Sequence, residues 1–599
     1  MALLSVLVFV SSARGEEDDV RSLELYSGSQ VETVSVGRSP RPASQTAENI
    51  TVVTAKDIEA LNAHTLPEVL NLVSGIQLEF VRTPGTGTNI YIEGSNYNHI
   101  LVLIDNVPIN NLADNFPDIG SVPVQMIERI EIVKGAASSS WGNALGGVIN
   151  VITKTPQMDR PVGGTASVSG GKAATIDGRG EVTGGASDFG YYLTGGKLRS
   201  DGLLPNNMVD LNHFYSKLHY ELPHQGSLVA TTFFTDNTQG QSQAPSLGIN
   251  VGSDVSQLIA TLSAQYPLSD HFTLDGMFRT RHMESDVLYT AISDGTVLKD
   301  VKDVEESNGG VLKVSYLDDL QRVVAGIDYD HMSVHLSQPQ KHADVLKRSD
   351  DRVGIYLNDT FTLGRFAVTP SVRYDHSDIS GNQFSPSFGI TYALTDNSVL
   401  RAYTAKGYSI TSLTLTDSLE HVWTSQVGFE SADVPYLWLK GTLFRNETGD
   451  ITFYTSDGIK SKQRQLKQGG EFEARTVPIL YTSLSLSYTY LDARDRDADQ
   501  ILPGFAKHTL NLGVKYEDNH HLRLQLTGHY LDWNLPGDSD ASYHDIIWDL
   551  HLAKRFELSD TFSVELFGSI RNIFNGQQYD SGFYKNPSRW AEGGIRCAF

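Results

Sequence analysis

Three aspartates alternate through one hydrophilic stretch, at Asp495, Asp497 and Asp499. Alternating carboxylates offer oxygen ligands to calcium, a hard cation. The glycine and closing glutamate of an EF-hand loop do not accompany them, so the run reads first as a solvated acidic loop, with loop calcium the lesser alternative. The 18 histidines show no paired helical or metal-finger spacing, so no metal ligands are assigned. The chain carries no Gly-x-Ser-x-Gly elbow, no phosphate-cradling Gly-x-x-x-x-Gly-Lys loop and no zincin helix. Acidic residues are plentiful, but nothing in their spacing places two in one cleft for general acid–base work. No catalytic residue and no cofactor is assigned, and the chain reads as a non-enzyme. A different chemistry is open to Glu32, Thr33, Val34, Ser35 and Val36. Thr and Val favour an extended backbone, which can add as a strand to the edge of a partner's sheet.

The elements around these residues fall into four stretches. Residues 1–15 read as an export signal, with an apolar core over Ala2–Val10 and small residues at Ala13 and Gly15, although no basic residue precedes the core. Residues 16–50 are polar and aperiodic, which predicts a flexible arm. Residues 51–157 read as a small mixed α/β domain. Thr54 with Asp57, and Thr65 with Glu68, have the spacing of a hydroxyl N-cap and an acid three residues on. Leu66, Val69, Leu70 and Val73 share one helical face. Short β-branched runs follow at Ile90–Ile92, Ile100–Ile104, Ile130–Val133 and Val148–Ile152. Between the last two, Gly146 and Gly147 permit a close backbone approach.

From residue 158 to residue 599 the text alternates apolar and polar residues in segments of roughly ten, punctuated by Gly, Asp, Asn and Ser. In Leu522–Tyr530, Leu522, Leu524, Leu526 and Tyr530 share one face, and Arg523, Gln525, Thr527 and His529 the other. A soluble sandwich and a membrane barrel both produce such strands. Aromatic residues near strand ends, such as Tyr191, Tyr192, Phe233 and Phe234, favour a barrel's interfacial girdles. Spacers that alternate short and long predict tight turns at one end and long loops at the other. The roughly 438 residues after residue 161, at about 20 for each strand with its connection, make about 22 strands, a number found in plugged outer-membrane transporters.

Totals narrow the classes further. The 599-residue chain exceeds one ordinary core. Its 47 basic and 71 acidic residues give a net charge of −24, which argues against a nucleic-acid partner. The single cysteine, Cys597, excludes an internal disulfide framework and a cysteine zinc cage. No internal run approaches the roughly 18 apolar residues of a membrane helix, a test that β-barrels escape.

The stretch Glu128–Thr155, ERIEIVKGAASSSWGNALGGVINVITKT, resembles the closing motif of the plug domain in TonB-dependent outer-membrane receptors. The run Ile100–Pro108 is similar to that family's buried plug strand and turn. Glu420–Glu430, Gly441–Tyr454, Gly469–Glu473 and Arg571–Phe574 resemble its barrel phrases, so the likeness covers essentially the whole chain after the signal. It implies a transmembrane antiparallel β-barrel of about 22 strands with an N-terminal mixed α/β plug inside the lumen. Glu32–Val36 then resembles the TonB box, and the aromatic terminus Phe599 resembles the barrel's insertion signal. Two departures stand out. Gly135-Ala136 replaces a common Gly-Pro, and Glu93, within Ile92–Gly94, stands where the family usually writes arginine. Either Glu93 finds a base such as Arg129 or Lys134, with Glu128 and Glu131 the neighbouring acids, or the plug's latch differs.

The resemblance also implies a function: TonB-dependent active transport of a scarce metal chelate, a ferric siderophore or cobalamin, across the bacterial outer membrane. Its partners would be the periplasmic TonB protein, the chelate, outer-membrane lipid and the barrel-assembly machinery, with the chain itself a monomer. Substrate would rest on the loops Arg82–Asn89, Ser95–His99 and Asn110–Asp118. Arg82, Asn89, Asn96, Tyr97, Asn98, His99, Asn110, Asn111 and Asp114 are the candidate contacts. Other classes remain open: a surface receptor or adhesin, a passive channel, and TonB-dependent uptake of an oligosaccharide or peptide.

Overall fold

The computed structural model describes residues 32–33, 37–42, 45–79, 81–244, 247–414, 419–454, 460–533, 545–578 and 586–599. A closed barrel of 22 antiparallel strands begins at Gly163–Gly171 and ends at Trp590–Ala598, which pair with each other from Thr165↔Ala598 onward. The two-residue strand Gln500–Ile501 is the outward continuation of Ala506–Glu517, both pairing with Thr482–Asp495. Closure leaves no free sheet edge, which a wall facing lipid requires. The period of two sorts the side chains. In Thr482–Asp495, Leu484, Leu486 and Tyr488 are exposed on the outside, while Thr489, Leu491 and Ala493 are buried on the lumen side.

Connections at the end carrying the barrel's first and last residues are two to five residues long. At the opposite end most are three to eight, and only 534–546 and 572–589 are long. The expectation of long outer loops is therefore corrected. Most of that length is in the strands, because the six strands between Gly226 and Leu363 run 18–21 residues, against 9–12 for those from Ala506 onward. At about 3.3 Å per residue and a tilt near 40°, a 21-residue strand stands about 50 Å tall, roughly twice the apolar band of such barrels. One side of the barrel thus rises as a tall wall.

The plug fills the lumen. Its five-stranded mixed sheet has the order Asn49–Thr54, Ile127–Lys134, Gly147–Thr153, Ile100–Ile104, Val107–Pro108. The parallel pair Ile100–Ile104 and Gly147–Thr153 is buried on both faces, as its unbroken apolar text requires. Each fully buried Leu, Ile or Val there contributes about 1.5–3 kcal/mol. A separate hairpin joins Ile76–Glu79 to Asn89–Ile92. Both predicted caps form: Asp57 accepts from the Thr54 N–H at 3.1 Å, and Glu68 from the Thr65 N–H at 3.0 Å, opening helices Ala55–Ala60 and Leu66–Leu70. The close approach expected of the Gly146–Gly147 pair is real. A Cβ on Gly147 would lie 2.6 Å from the Val133 carbonyl oxygen.

Candidate functional site

Away from the short-turn end, the plug presents a ring-and-carboxylate platform to the tall wall. Tyr97 meets Phe116 edge to face with ring centres 5.7 Å apart, and Tyr91 meets Phe505, just before the short barrel strand Ala506–Glu517, in the same way at 5.9 Å. Glu79 accepts from the Tyr91 hydroxyl at 2.8 Å and from Asn89 at 3.4 Å. Burial, then Asp114 and Glu79, push the Tyr97 phenol above its ordinary pKa, so both acids face that ring. Asn96, Asn98, Asn111 and Asp114 keep exposed or half-exposed side chains beside it. Glu79, Tyr91 and Phe116 were missed by sequence reasoning. The strand pairing Glu79↔Asn89 brings Glu79 to a candidate residue, and only the hairpin register reveals it.

Three other candidates are engaged within the protein. Arg82 is buried and donates to the Gln241 carbonyl at 2.5 Å, which ties the plug to the wall. His99 is 1% exposed, with Nε2 2.5 Å from a Glu420 carboxylate oxygen. Asn110 is an internal staple, accepting from the Val102 N–H and donating to the Ile100 and Asn115 carbonyls at 2.8–2.9 Å. A polar residue in a plug loop serves the plug's own turn as readily as a ligand, and sequence cannot separate the two roles.

The arm residues 37–42 lie inside the lumen. Arg38 donates to Asp328 at 2.6 Å, and its guanidinium sits 4.3 Å from the Trp141 ring and 4.6 Å from Tyr356. Asp328 is shared with Arg373 at 2.7 Å, and Lys313 donates to the Arg38 carbonyl. Glu32 and Thr33 pair with Pro42 and Arg41 as a short antiparallel ladder. The remaining box residues, Val34, Ser35 and Val36, lie outside the described residues.

Glu93 does not find the base expected of it. Arg129 binds Glu131 at 2.9 Å and Glu128 at 3.3 Å, and Lys134 binds the barrel's Glu471 at 2.6 Å. Glu93, 2% exposed, is held by amides: Asn49 at 3.4 Å, Gln426 at 3.3 Å and Asn446 at 3.2 Å. The Asn49 amide also donates to Glu471 at 3.2 Å, so two carboxylates share one amide. Burial and then Glu471 push the Glu93 carboxyl up to about 7. Burial opposes the charge on Lys134, but Glu471 and Glu473 overcome it and raise its pKa. Glu93 also sits in the left-handed region (φ 48°), next to Gly94 at φ 77°. The latch is therefore a different one, closed through Lys134–Glu471 with Glu93 as a buried acid beside it.

A second ionic seam joins the plug to the last barrel strands. His64 Nε2 lies 2.9 Å from Glu592 and Nδ1 lies 3.4 Å from Glu68, while Arg571 binds Glu68 at 2.7 Å. Burial opposes the charge on His64, but Glu592 and Glu68 outweigh it and push His64 up to about 10. Among the described residues no group of three or more His, Cys, Asp or Glu side chains is arranged to hold a metal ion. Asp495, Asp497 and Asp499 diverge to Gln463, Arg464 and Arg494 respectively.

Two family descriptions match the chain: TonB-dependent Receptor Plug Domain over residues 42–148, and TonB dependent receptor-like, beta-barrel over residues 166–573. The vitamin B12 transporter BtuB of Photobacterium profundum is 23% identical over 594 residues, 92% of each chain. That of Vibrio vulnificus is 27% identical over 397 residues, 62% of this chain and 61% of that protein. Among solved structures, the ferric citrate transporter FecA in its unliganded form superposes with a TM-score of 0.77 at 18% identity, over 93% of this chain and 97% of that one. BauA, the ferric preacinetobactin receptor of Acinetobacter baumannii, gives 0.79 at 13% identity, over 95% and 99%. At such identities these structures speak for the fold alone.

Proposed function

Because the chain belongs to the TonB-dependent receptor family, non-enzymatic outer-membrane barrels filled by a plug, we propose that it imports a corrinoid of the cobalamin class by active transport. The observation that carries this reading is the chemistry of the plug's outer face. The platform carries the half-exposed amides of Asn89, Asn96, Asn98 and Asn111, and the one Lys or Arg between Glu79 and Phe116, Arg82, is already engaged by a wall carbonyl. A polyanionic ferric catecholate needs cationic groups to offset its charge on desolvation. A corrinoid is a near-neutral, ring-shaped chelate fringed with amides. It suits half-buried rings such as Tyr97 and Phe116, surrounded by amide and carboxylate partners. The B12-transporter relatives agree with this choice.

In this reading the ligand rests on Tyr97 and Phe116 and presses the loop 111–116. That loop is docked to the tall wall by Glu305, which accepts from the Leu112 and Ala113 N–H groups at 2.7 and 2.8 Å. A signal passing inward would loosen the clamp on Arg38 and free the box 32–36 for the periplasmic TonB protein. The outer membrane holds no ATP, so work must arrive as a pull through such a partner. Purified protein should bind cyanocobalamin, and cells should accumulate it only while the proton gradient stands. Deletion of residues 32–36 should abolish accumulation and leave binding intact. Accumulation without the box would refute active transport. Failure to bind cyanocobalamin while binding a ferric chelate would overturn the corrinoid assignment.

A further inference from the structure

Two cavities lie one above the other between the plug and one sector of the barrel wall. The first, about 180 Å³, has Thr51, Val53 and Ser74 on its plug side, and Ser485, Ser487 and Gly513 on its wall side. The second, about 130 Å³, lies toward the outer face between Asn71, Leu78 and Val81 of the plug and His529, Leu531 and Trp590 of the wall. What divides them is thin. Asn511 donates to the Leu72 carbonyl at 3.2 Å, and its amide oxygen lies 2.6 Å from His529. Beside this partition, Ser74 meets Thr489 with hydroxyl oxygens 3.3 Å apart, and the Gly75 N–H donates to Thr489 at 3.0 Å.

The lumen face of this sector is small and polar. Along Thr482–Asp495 the lumen face reads Ser483, Ser485, Ser487, Thr489, and Ser485 is solvent-exposed although it points inward. Gly513 and Thr527 continue the small polar surface on the next strands. The wall made by Phe366–Ser377, Gly381–Thr395 and Ser398–Ile410, about a quarter-turn round the barrel, is different. There the plug segment 135–143 is fixed by the Tyr403 hydroxyl to the Ala136 carbonyl, by Ser387 to Ser139, by the Tyr408 N–H to Ser138 and by Arg373 to the Ser140 carbonyl.

The plug side of the first cavity can also be withdrawn. Thr51 to Val53 belong to Asn49–Thr54, an edge strand paired only with Ile127–Lys134 and following directly on the arm. Its Thr54 end is exposed, near the exposed Glu59 that pairs with Arg596, and its Asn49 end is deep. A pull on the arm toward the short-turn end loads the Asn49↔Lys134 pair first. The ladder then opens one pair at a time, the low-force direction for an antiparallel edge.

We propose that the solute crosses between plug segment 71–75 and the wall made by Thr482–Asp495, Ala506–Glu517 and Leu522–Trp533, with the Ser74–Thr489 and Leu72–Asn511 bonds as its gate. This rests on the transport reading above and adds the route to it. At about 30 Å³ per water, the resting cavities hold only a few waters each, so the plug side must move before a chelate can pass.

The test is a contrast of two cross-links in full-length protein carrying Cys597→Ser. Ser74→Cys with Thr489→Cys bridges the gate. Ser139→Cys with Ser387→Cys bridges this second wall, where the hydroxyl oxygens are 2.9 Å apart. Both pairs start within reach of a disulfide. The gate disulfide should cut cyanocobalamin uptake at least tenfold while leaving cyanocobalamin binding unchanged, and a reductant should restore uptake. The second disulfide should leave uptake within twofold of the parent. Equal block by both, block by the second one alone, or block by neither overturns the route. A ligand-free arm stands beside this one: Ser485→Cys should react at rest with a water-soluble maleimide, and Ser387→Cys should not. Equal reactivity at the two positions also overturns it. Absence of cyanocobalamin uptake by the Cys597→Ser parent would remove the corrinoid reading and leave the labelling contrast to decide the route.

Discussion

Replacing Glu93 by glutamine should remove a pH dependence built into the plug's latch. Burial and the neighbouring Glu471 hold the folded carboxyl at about 7, against 4.5 when the loop is open to water. A folded pKa above the open one means that the closed latch binds more protons than the open latch between those two values. Its contribution is therefore complete below about pH 4.5, falls as pH rises toward 7, and is level above that. At about 1.4 kcal/mol per pKa unit, the fall comes to about 3 kcal/mol, roughly two orders of magnitude in the opening equilibrium. Glutamine keeps the shape and cannot ionise. It exchanges one carboxylate oxygen for an N–H group that faces the amide donors of Asn49, Gln426 and Asn446, at a cost of about 1 kcal/mol at any pH. Hydrogen exchange on peptides spanning 89–100 and 127–134, corrected for intrinsic rates, reads the opening directly. The parent should lose about a hundredfold of protection between pH 5 and pH 8, and Glu93→Gln should be flat. At pH 8 the variant should be the better protected of the two. Parallel profiles in the two proteins would refute the assignment of a buried, titrating Glu93.

Three further outcomes follow from the same geometry. Arg38→Ala removes one of the two cations on Asp328 and two ring contacts while Arg373 keeps the carboxylate paired, a loss of about 1.5–3 kcal/mol at the clamp. It should free residues 32–42 to protease and to spin-label motion without ligand, while leaving ligand binding unchanged. Tyr97→Ala removes a half-buried ring from the outer platform and should weaken cyanocobalamin binding about tenfold in equilibrium dialysis, with thermal stability little altered. His64→Gln leaves Glu592 and Glu68 with less positive charge and should lower protection of peptides covering 61–71. In the parent the His64 contribution is complete below about pH 6.5 and declines as pH rises toward 10, so protection there should fall over that window and not below it.

The parts of this molecule that sequence reveals are those governed by a local period or a local motif. Alternation gave the lumen and lipid faces of Leu522–Tyr530 correctly, because side chains in a strand must point alternately. The caps at Thr54 and Thr65 were equally plain, since donor and acceptor lie three residues apart. The contacts between plug and barrel were hidden for the opposite reason. Lys134 meets Glu471 across 337 residues, and Arg38 meets Asp328 across 290. A strand pattern says which face a residue occupies but not which plug residue it will meet at a given height. The partners of His99 and Arg82 were hidden on the same ground. Their partners Glu420 and Gln241 belong to distant strands, so each looked free.

Glu93 stands between these two cases. Its type is a visible departure in a recognisable phrase, yet its consequence depends on what the barrel supplies. Had the wall offered a lysine at hydrogen-bond distance, the exchange would have been a simple reversal of charge. The wall instead offers amides from Gln426 and Asn446, and a second acid, Glu471, which Lys134 already neutralises. Amide donors favour the ionised carboxylate, while burial and the adjacent acid favour the neutral one. These opposing effects leave Glu93 close to the midpoint at neutral pH, where a loss of water or a shift of Asn49 can move its proton. Asn49 is the first residue of the edge strand that a pull on the arm would load. The proton on Glu93 and the strand that opens the route are thus joined through one side chain, so Asn49→Ala, which removes a donor to the charged carboxylate, should raise the Glu93 carboxyl further, extend the loss of latch protection to higher pH and lower the force that peels the strand.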